Sequence, residues 1–311
     1  MKIQLCYIKI MLYDLIIIGG GASGTGAGVY ASRRGLKFKI VCEQFGGEVA
    51  QSGLIGNYPG MKKTNGIELA KLFREHLEFN QVEIEEGVKI EKIESVKNGL
   101  KLIAGTKSFK AKTALIATGA HPRKLKIPGE EELDHKGITY CTTCDGPLFR
   151  GKEVVIIGGG NSALEAGMMM AEIAKKVVMV NLNKEFNGET VLVDSLKKKA
   201  NVDFFYKTQT IEILGEERVS GILVKNLVTN QSQIIKVEGV MVHIGALPNS
   251  DPAPVKKNQF NEIIIDAVGR TSNPRIFAAG DVTNHPYKQI AIASGQAVSA
   301  LLAIVEFLNK I

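Results

Sequence analysis

The chain has 311 residues, 45% hydrophobic and 23% charged, a balance that excludes a disordered or fibrous protein and suggests about two globular domains. Lys and Arg outnumber Asp and Glu by 39 to 32 for a net charge of +7, but the lysines are scattered without interleaved aromatics. That pattern argues against nucleic-acid binding and for a solvated surface biased toward acidic protein partners. Four cysteines, two of them three positions apart, fit a reducing compartment where disulfides are transient and catalytic, so the cytoplasm is the expected location, without a membrane.

Residues before Tyr13 read as an extension, with Met11 an alternative start. Lys9 and Asp14 interrupt the apolar run and no small-residue cleavage site follows, unlike a signal peptide. Leu15 to Ile18 reads as a buried strand leading into Gly19-Gly20-Gly21-Ala22-Ser23-Gly24, then a helix of small residues to Arg34, closed by Gly35. Glycines at this spacing permit a tight turn, close approach of the backbone to a pyrophosphate, and packing of the helix on the strand. The helix N-terminus then points amide hydrogens at phosphate. A second strand, Phe38 to Cys42, delivers Glu43 nineteen residues after Gly24, where a carboxylate can accept both hydroxyls of an unphosphorylated ribose. Strand, loop, helix, strand and acid in that order are far more specific than the glycines alone.

Gly46-Gly47-Glu48 and Gly56-Asn57-Tyr58-Pro59-Gly60 are loops around a nucleotide site. An amphipathic helix over Ile67 to Asn80 and short strands over Val82 to Ile103 follow, then a strand over 109–116 that ends at Ala117-Thr118-Gly119. Cys141-Thr142-Thr143-Cys144-Asp145-Gly146 is the stretch with a specific chemistry. It admits three readings. A zinc site needs a second ligand pair, whereas Cys6 and Cys42 are isolated. A structural turn would use Asp145 only as a helix cap. A redox pair is favoured by position, because the CxxC lies between two glycine-rich fingerprints and nucleotide cofactors are the usual source of electrons for a dithiol.

The second fingerprint repeats the first pattern. Glu153 to Ile157 is a strand, Gly158-Gly159-Gly160-Asn161-Ser162-Ala163 the loop, Leu164 to Ala174 a helix and Val177 to Val180 the returning strand, with Asn181 where an acid is expected. Two such units imply two dinucleotides with electrons passing between them. Residues 201–245 read as strands, Gly245 to Asn249 with Pro252 and Pro254 as a linker, and Arg275 to Ala279 as a strand into Gly280-Asp281. Gln289 to Asn309 is a long apolar helix, most simply core packing, whose start can hold negative charge.

From Tyr13 to Leu308 the chain resembles the low-molecular-weight thioredoxin reductases. The resemblance rests on GGGASG, the GG-x-V and NYPG loops, ATG at 117–119, CTTCDG, GGGNSA and AAGDVTNHPYKQIAIASGQ from Ala278. It implies an α/β fold of two Rossmann-like dinucleotide-binding domains, the nicotinamide domain inserted into the FAD domain. The FAD domain would span 1–119 and 247–311, the nicotinamide domain with the CxxC 120–246, and the assembly would be a homodimer. Matched residue by residue, Gly19, Gly21, Ala22, Ser23, Glu43, Gly47, Glu48, Asn57, Val88, Ala117, Thr118, Gly119, Gly280, Asp281, Lys288, Gln289 and Ile290 would bind FAD. Gly158, Gly160, Asn161, Ser162, Glu165 and Gly245 would bind the nicotinamide dinucleotide. Cys144 would face the flavin, Cys141 would attack the disulfide of a thioredoxin or glutaredoxin-like partner, and Asp145 would shuttle the proton, with no metal. Because CxxC and second fingerprint share one domain yet must reach one flavin, rotation about segments near 119–122 and 245–249 is implied.

The chain departs from the family where the donor is read. NADPH-using members carry His-Arg-Arg and a further arginine, against Asn181-Leu182-Asn183 and Asn187 here. A 2′-phosphate needs bidentate cations and Lys184 alone is a poor substitute, which disfavours NADPH. NADH-using relatives such as the alkyl hydroperoxide reductase flavoprotein carry an acid where Asn181 stands, and Glu185 is off register. A ferredoxin or reduced deazaflavin is the third possible donor; each 30 mV short of a partner near about −270 mV costs about 1.4 kcal/mol. Glu48 also replaces the usual glutamine. The expected activity is thioredoxin-disulfide reduction. The alternatives are an NADH-dependent peroxide-system flavoprotein, a flavin dithiol oxidase, and a non-enzymatic redox-sensing nucleotide-binding module.

Overall fold

Along the unbroken apolar run Leu15-Ile16-Ile17-Ile18 the pleat of a strand sends successive side chains to opposite faces of a sheet. The computed structural model, which describes residues 12–52 and 54–311, shows both faces buried. Leu15 and Ile17 join Ile40, Leu77, Leu115 and Leu301 on one face, while Ile16 and Ile18 join Leu100, Leu102, Phe109 and Ile276 on the other. The suggested extension, Met11 and Cys6 lie outside the described residues.

The chain forms two compact units, one of residues up to His121 with Leu247–Ile311, the other Pro122–Ala246. In the first, parallel strands Ile84–Glu86, Phe38–Phe45, Leu12–Gly20 and Lys107–Ile116 lie side by side. The last strand is shared. Its first half pairs antiparallel with Gly99–Ala104 and through it Lys92–Val96; its second half pairs parallel with Ile276–Ala278. Leu12–Gly20 therefore has a neighbour on each side, so a crevice opens beyond its C-terminal end, where ligands bind in open α/β sheets. The longer helices of the unit are Ala22–Arg33, Gly66–Phe79 and Ile290–Leu308. The last is long and apolar enough to cross a membrane by length and composition. Its Ala293, Ala297, Ala300, Leu301, Ala303 and Ile304 are buried in the sheet's core.

The second unit repeats the plan. Glu153–Ile157 lies between Lys176–Val180 and Gly239–Val242, flanked by Val202–Phe205 and Ile138–Thr139, all parallel. Val154 and Ile156 face one core, Val155 and Ile157 the other. An antiparallel sheet of Thr208–Gly215, Val219–Asn226 and Ser232–Lys236 is appended. Helix Asn161–Ile173 starts three residues earlier than apolar periodicity suggests, and helix Thr190–Lys197 fills a stretch the periodicity leaves unread. This unit holds equal numbers of basic and acidic residues, so the surplus of +7 belongs to the other. The unit with the CxxC thus has no formal net charge with which to steer an acidic partner.

Candidate functional site

Cys141 and Cys144 form a disulfide, S–S 2.10 Å with Cα atoms 5.3 Å apart. The intervening chain is one helical turn, Thr142–Asp145, with the N–H groups of Cys144 and Asp145 both donating to the Cys141 carbonyl at 3.0 Å. Thr142 is buried, both cysteines are partly exposed, and Gly146 closes the turn against Met169 and Met170 of helix Asn161–Ile173.

Buried Thr139 ties the turn to its acid. Its hydroxyl donates to Asp145 Oδ2 at 2.6 Å and accepts the Cys141 N–H at 3.0 Å. Burial holds the Asp145 carboxyl above its ordinary range, against the lowering effect of the Thr139 bond. A carboxyl so placed takes up and releases a proton closer to neutrality than a solvated one does. Behind the turn, buried Glu130 accepts from the backbone N–H of Leu125 and Lys126 and from the Tyr140 hydroxyl. Desolvation and this carboxylate push the Tyr140 phenol up, so it is a fixed donor. The lone free cysteine among the described residues, Cys42, is buried in the other unit, its thiol pushed up to about 11 by desolvation.

The first fingerprint sits at the crevice of its own unit. Gly19 has φ +118° and a Cβ there would lie 2.1 Å from the Ala117 carbonyl oxygen, so the loop and the end of the neighbouring strand touch only because no side chain intervenes. Ala22 and Ser23 open the following helix, and the Ser23 hydroxyl is spent on Ala293 O at 3.1 Å, leaving its backbone N–H for a ligand. Glu43 ends exposed, with Lys89 3.5 Å away. Gly47 carries φ +51° before the short helix Glu48–Gln51, and Val88 N–H donates to Cys42 O. Asn57 donates to Gln289 Oε1 at 3.1 Å, which brings the 56–60 loop to the start of helix Ile290–Leu308. Thr118 and Asn249 exchange two hydrogen bonds and Gly119 O accepts from Asn249 N–H. Gly280 N–H donates to Gln296, and Lys288 pairs with Glu262 at 2.9 Å. Asp281 accepts no hydrogen bond among the described residues, and desolvation raises its carboxyl while Lys288 and His285 oppose. A half-buried carboxylate without a donor, next to Gly280, which packs on Ser23 at the start of helix Ala22–Arg33, fits a polyhydroxylated dinucleotide such as FAD.

In the second fingerprint Gly158 has φ +148° and a Cβ would meet the His243 carbonyl at 2.1 Å, the counterpart of Gly19 on Ala117. Asn161 Oδ1 accepts from Glu189 N–H, Glu165 is exposed, and Gly245 O accepts from Arg123 N–H. Asn181 is 3% exposed. Its amide donates to Glu185 O at 2.7 Å and its oxygen accepts from Asn183 N–H at 3.2 Å, so it holds its own turn rather than offering itself to a ribose. Lys184 is exposed, 3.9 Å from Glu185. Ser162 and Thr142 share one histidine, His243, through Nδ1 at 2.8 Å and Nε2 at 2.7 Å. Thr139 and His243 escape a reading of the sequence. Thr139, two residues before Cys141, could have been noticed as a hydroxyl beside the turn; nothing marks His243, whose partners are 81 and 101 residues away.

The profile of the pyridine nucleotide-disulphide oxidoreductases matches residues 13–297. Curated relatives include an alkyl hydroperoxide reductase subunit in Pseudomonas putida, 40% identical over 306 residues, and its counterpart in Staphylococcus aureus, 37% over 301. The matches take in 96% of this chain but 58% and 59% of those proteins, so the chain spans little more than half their length. Among solved structures, thioredoxin reductase from Streptococcus pyogenes is 34% identical with a TM-score of 0.89, covering 96% of this chain and 99% of that one. Thioredoxin reductase from T. acidophilum is 36% identical with a TM-score of 0.65, covering 95% and 98%. With two glycine fingerprints and a helical disulfide turn behind these likenesses, the chain belongs to the pyridine nucleotide-disulphide oxidoreductase family.

Proposed function

We propose that the chain is an FAD-dependent disulfide reductase that uses Cys141 and Cys144 to reduce a thioredoxin or glutaredoxin-like protein. Family membership implies FAD and a pyridine nucleotide. The crevice residues Gly19, Gly21, Glu43, Asn57, Asp281 and Gln289 would hold FAD, with Asp281 accepting from a ribitol hydroxyl. When bound, FAD supplies the two electrons that open the 141–144 bond. The observation that carries the reading is the clamp that joins this disulfide to a raised carboxyl, since exchange needs both a labile sulfur pair and a proton acceptor beside it.

The chain's own steps follow from that geometry. With two electrons and two protons taken up, Asp145 in its ionised form removes the proton from a thiol of the turn. The Cys141 thiolate attacks the partner's disulfide, forming a mixed disulfide and releasing one partner thiolate. Cys144 gives its proton to that thiolate and attacks the Cys141 sulfur, the 141–144 bond reforms, and the second partner sulfur leaves as a thiolate that takes the proton from Asp145. The thiol assigned to the flavin is Cys144, and the assembly we propose is a homodimer.

NADH or another low-potential donor fits better than NADPH. No cation stands at Asn181, Asn183 or Asn187, and Asn181 is engaged internally. A second reading, delivery of electrons to a peroxide-reducing partner, is favoured by the curated relatives. Anaerobic titration of the FAD-loaded protein with NADH, NADPH, reduced ferredoxin and reduced deazaflavin, followed by addition of a thioredoxin disulfide, tests the proposal. Bleaching by one donor, with NADPH slow, and recolouring by thioredoxin is expected. A flavin that bleaches but recolours only with a peroxide-system protein supports the second reading; one that neither protein reoxidises sinks both.

A further inference from the structure

His243 follows strand Gly239–Val242 and joins two features that the proposed function uses separately. Nε2 lies 2.7 Å from the hydroxyl of Thr142, the buried residue between the helical turn's cysteines. Nδ1 lies 2.8 Å from the hydroxyl of Ser162, the second residue of the helix that follows the second fingerprint. Desolvation pushes the imidazole down to about 4, so near neutrality it is uncharged. A neutral ring has one proton for these two neighbours and must donate to one and accept from the other.

The two arrangements are not equivalent once a ligand is present. A phosphate oxygen at the helix N-terminus can only accept, so a Ser162 hydroxyl that donates to it must in turn receive the proton of Nδ1. Nε2 is then bare, and the Thr142 hydroxyl must donate into the ring. Without a ligand both directions are open, and the Thr142 proton can serve the turn instead. Thiolates need hydrogen-bond donors more than a disulfide does, so the direction of this bond weighs on the dithiol and disulfide forms unequally. We propose that Ser162, His243 and Thr142 form a tautomer relay through which a dinucleotide pyrophosphate on the second fingerprint shifts the reduction potential of the Cys141–Cys144 disulfide. This rests on the reading of that fingerprint as a dinucleotide site, and His243 acts in it as a positioning residue.

The test uses the FAD-loaded full chain with ADP-ribose, which has the pyrophosphate but cannot carry hydride. The 141–144 pair is equilibrated in dithiothreitol buffers with and without saturating ADP-ribose, and free thiols are counted by alkylation and mass. One hydrogen bond gained or lost corresponds to about a fivefold change in the equilibrium constant, or about 20 mV for a two-electron couple. The wild type should show that shift, and ¹⁵N resonances should report His243 as the Nδ1–H tautomer in the complex. His243→Ala should bind ADP-ribose by calorimetry yet show no shift; if it fails to fold, Thr142→Val, which keeps the shape of the buried side chain and removes only the hydroxyl that meets Nε2, carries the same expectation. An equal shift in either variant, or binding to the wild type without a shift, overturns the relay. No binding of ADP-ribose at all overturns the dinucleotide reading, and the relay with it.

Discussion

Replacing Thr139 by Val removes one hydroxyl while nearly preserving shape, so what is lost is two hydrogen bonds. They are the donation to Asp145 Oδ2 at 2.6 Å and the acceptance from Cys141 N–H at 3.0 Å. Burial raises the Asp145 carboxyl and the Thr139 bond opposes that rise, so without the hydroxyl the carboxyl moves further up. A hydrogen bond to a charged acceptor is worth about 1.5–3 kcal/mol, and Asp145 is only half-buried, which favours the lower end. At 1.36 kcal/mol per pH unit, the limb of the rate profile that requires ionised Asp145 moves up by about one unit. Because that form takes the proton from the attacking thiol, Thr139→Val loses activity first on the acid side. The assay is kcat/KM for a thioredoxin disulfide across pH, with Thr139→Ser as the control that keeps the hydroxyl. A Val variant that keeps the wild-type limb, or a Ser variant that moves it as far as Val, would show that the Thr139 hydroxyl does not set the Asp145 proton equilibrium.

Gly19→Ala places a Cβ 2.1 Å from the Ala117 carbonyl at φ +118° and should cost a few kcal/mol with loss of FAD uptake, followed by flavin absorbance on reconstitution. Glu130→Ala strands three donors, those of Leu125, Lys126 and Tyr140, and should lower stability by about 3 kcal/mol or more in urea denaturation. His243 is held at about 4 against 6.5 in the unfolded chain. The unfolded state therefore binds the extra proton in that window, and stability falls as the pH drops through it, by up to about 3 kcal/mol. His243→Gln should flatten this acid loss; an unchanged slope would contradict the burial of the ring.

Much of the fold was legible because the two parallel sheets are written as short apolar runs ending in glycine, as at Leu15 to Gly19 and Val154 to Gly158. Period and punctuation are local properties, and they survive in the sequence. Helix Thr190–Lys197 was not legible, because its apolar residues Val191, Leu192, Val193 and Leu196 follow a segment rich in asparagine and charge, and of these only Leu196 is buried. At the disulfide, the pair Cys141 and Cys144 with Asp145 announces itself by spacing. The Thr142, Ser162 and His243 contacts do not, because three strands of the sheet must assemble before those side chains meet. The departure at Asn181 was visible as a missing acid, but its use as an internal clamp on residues 183 and 185 required the structure.

The most direct test of the central claim is trapping with Cys144→Ser. In this variant Cys141 can attack a partner's disulfide but the adduct cannot be resolved, so incubation of the FAD-loaded variant with an oxidised thioredoxin should give a stable mixed disulfide. Mass spectrometry of the digested adduct should place it on Cys141, with flavin retained and turnover abolished. An adduct on Cys42, no adduct with any disulfide-bearing partner, or continued turnover without Cys144 would contradict the account.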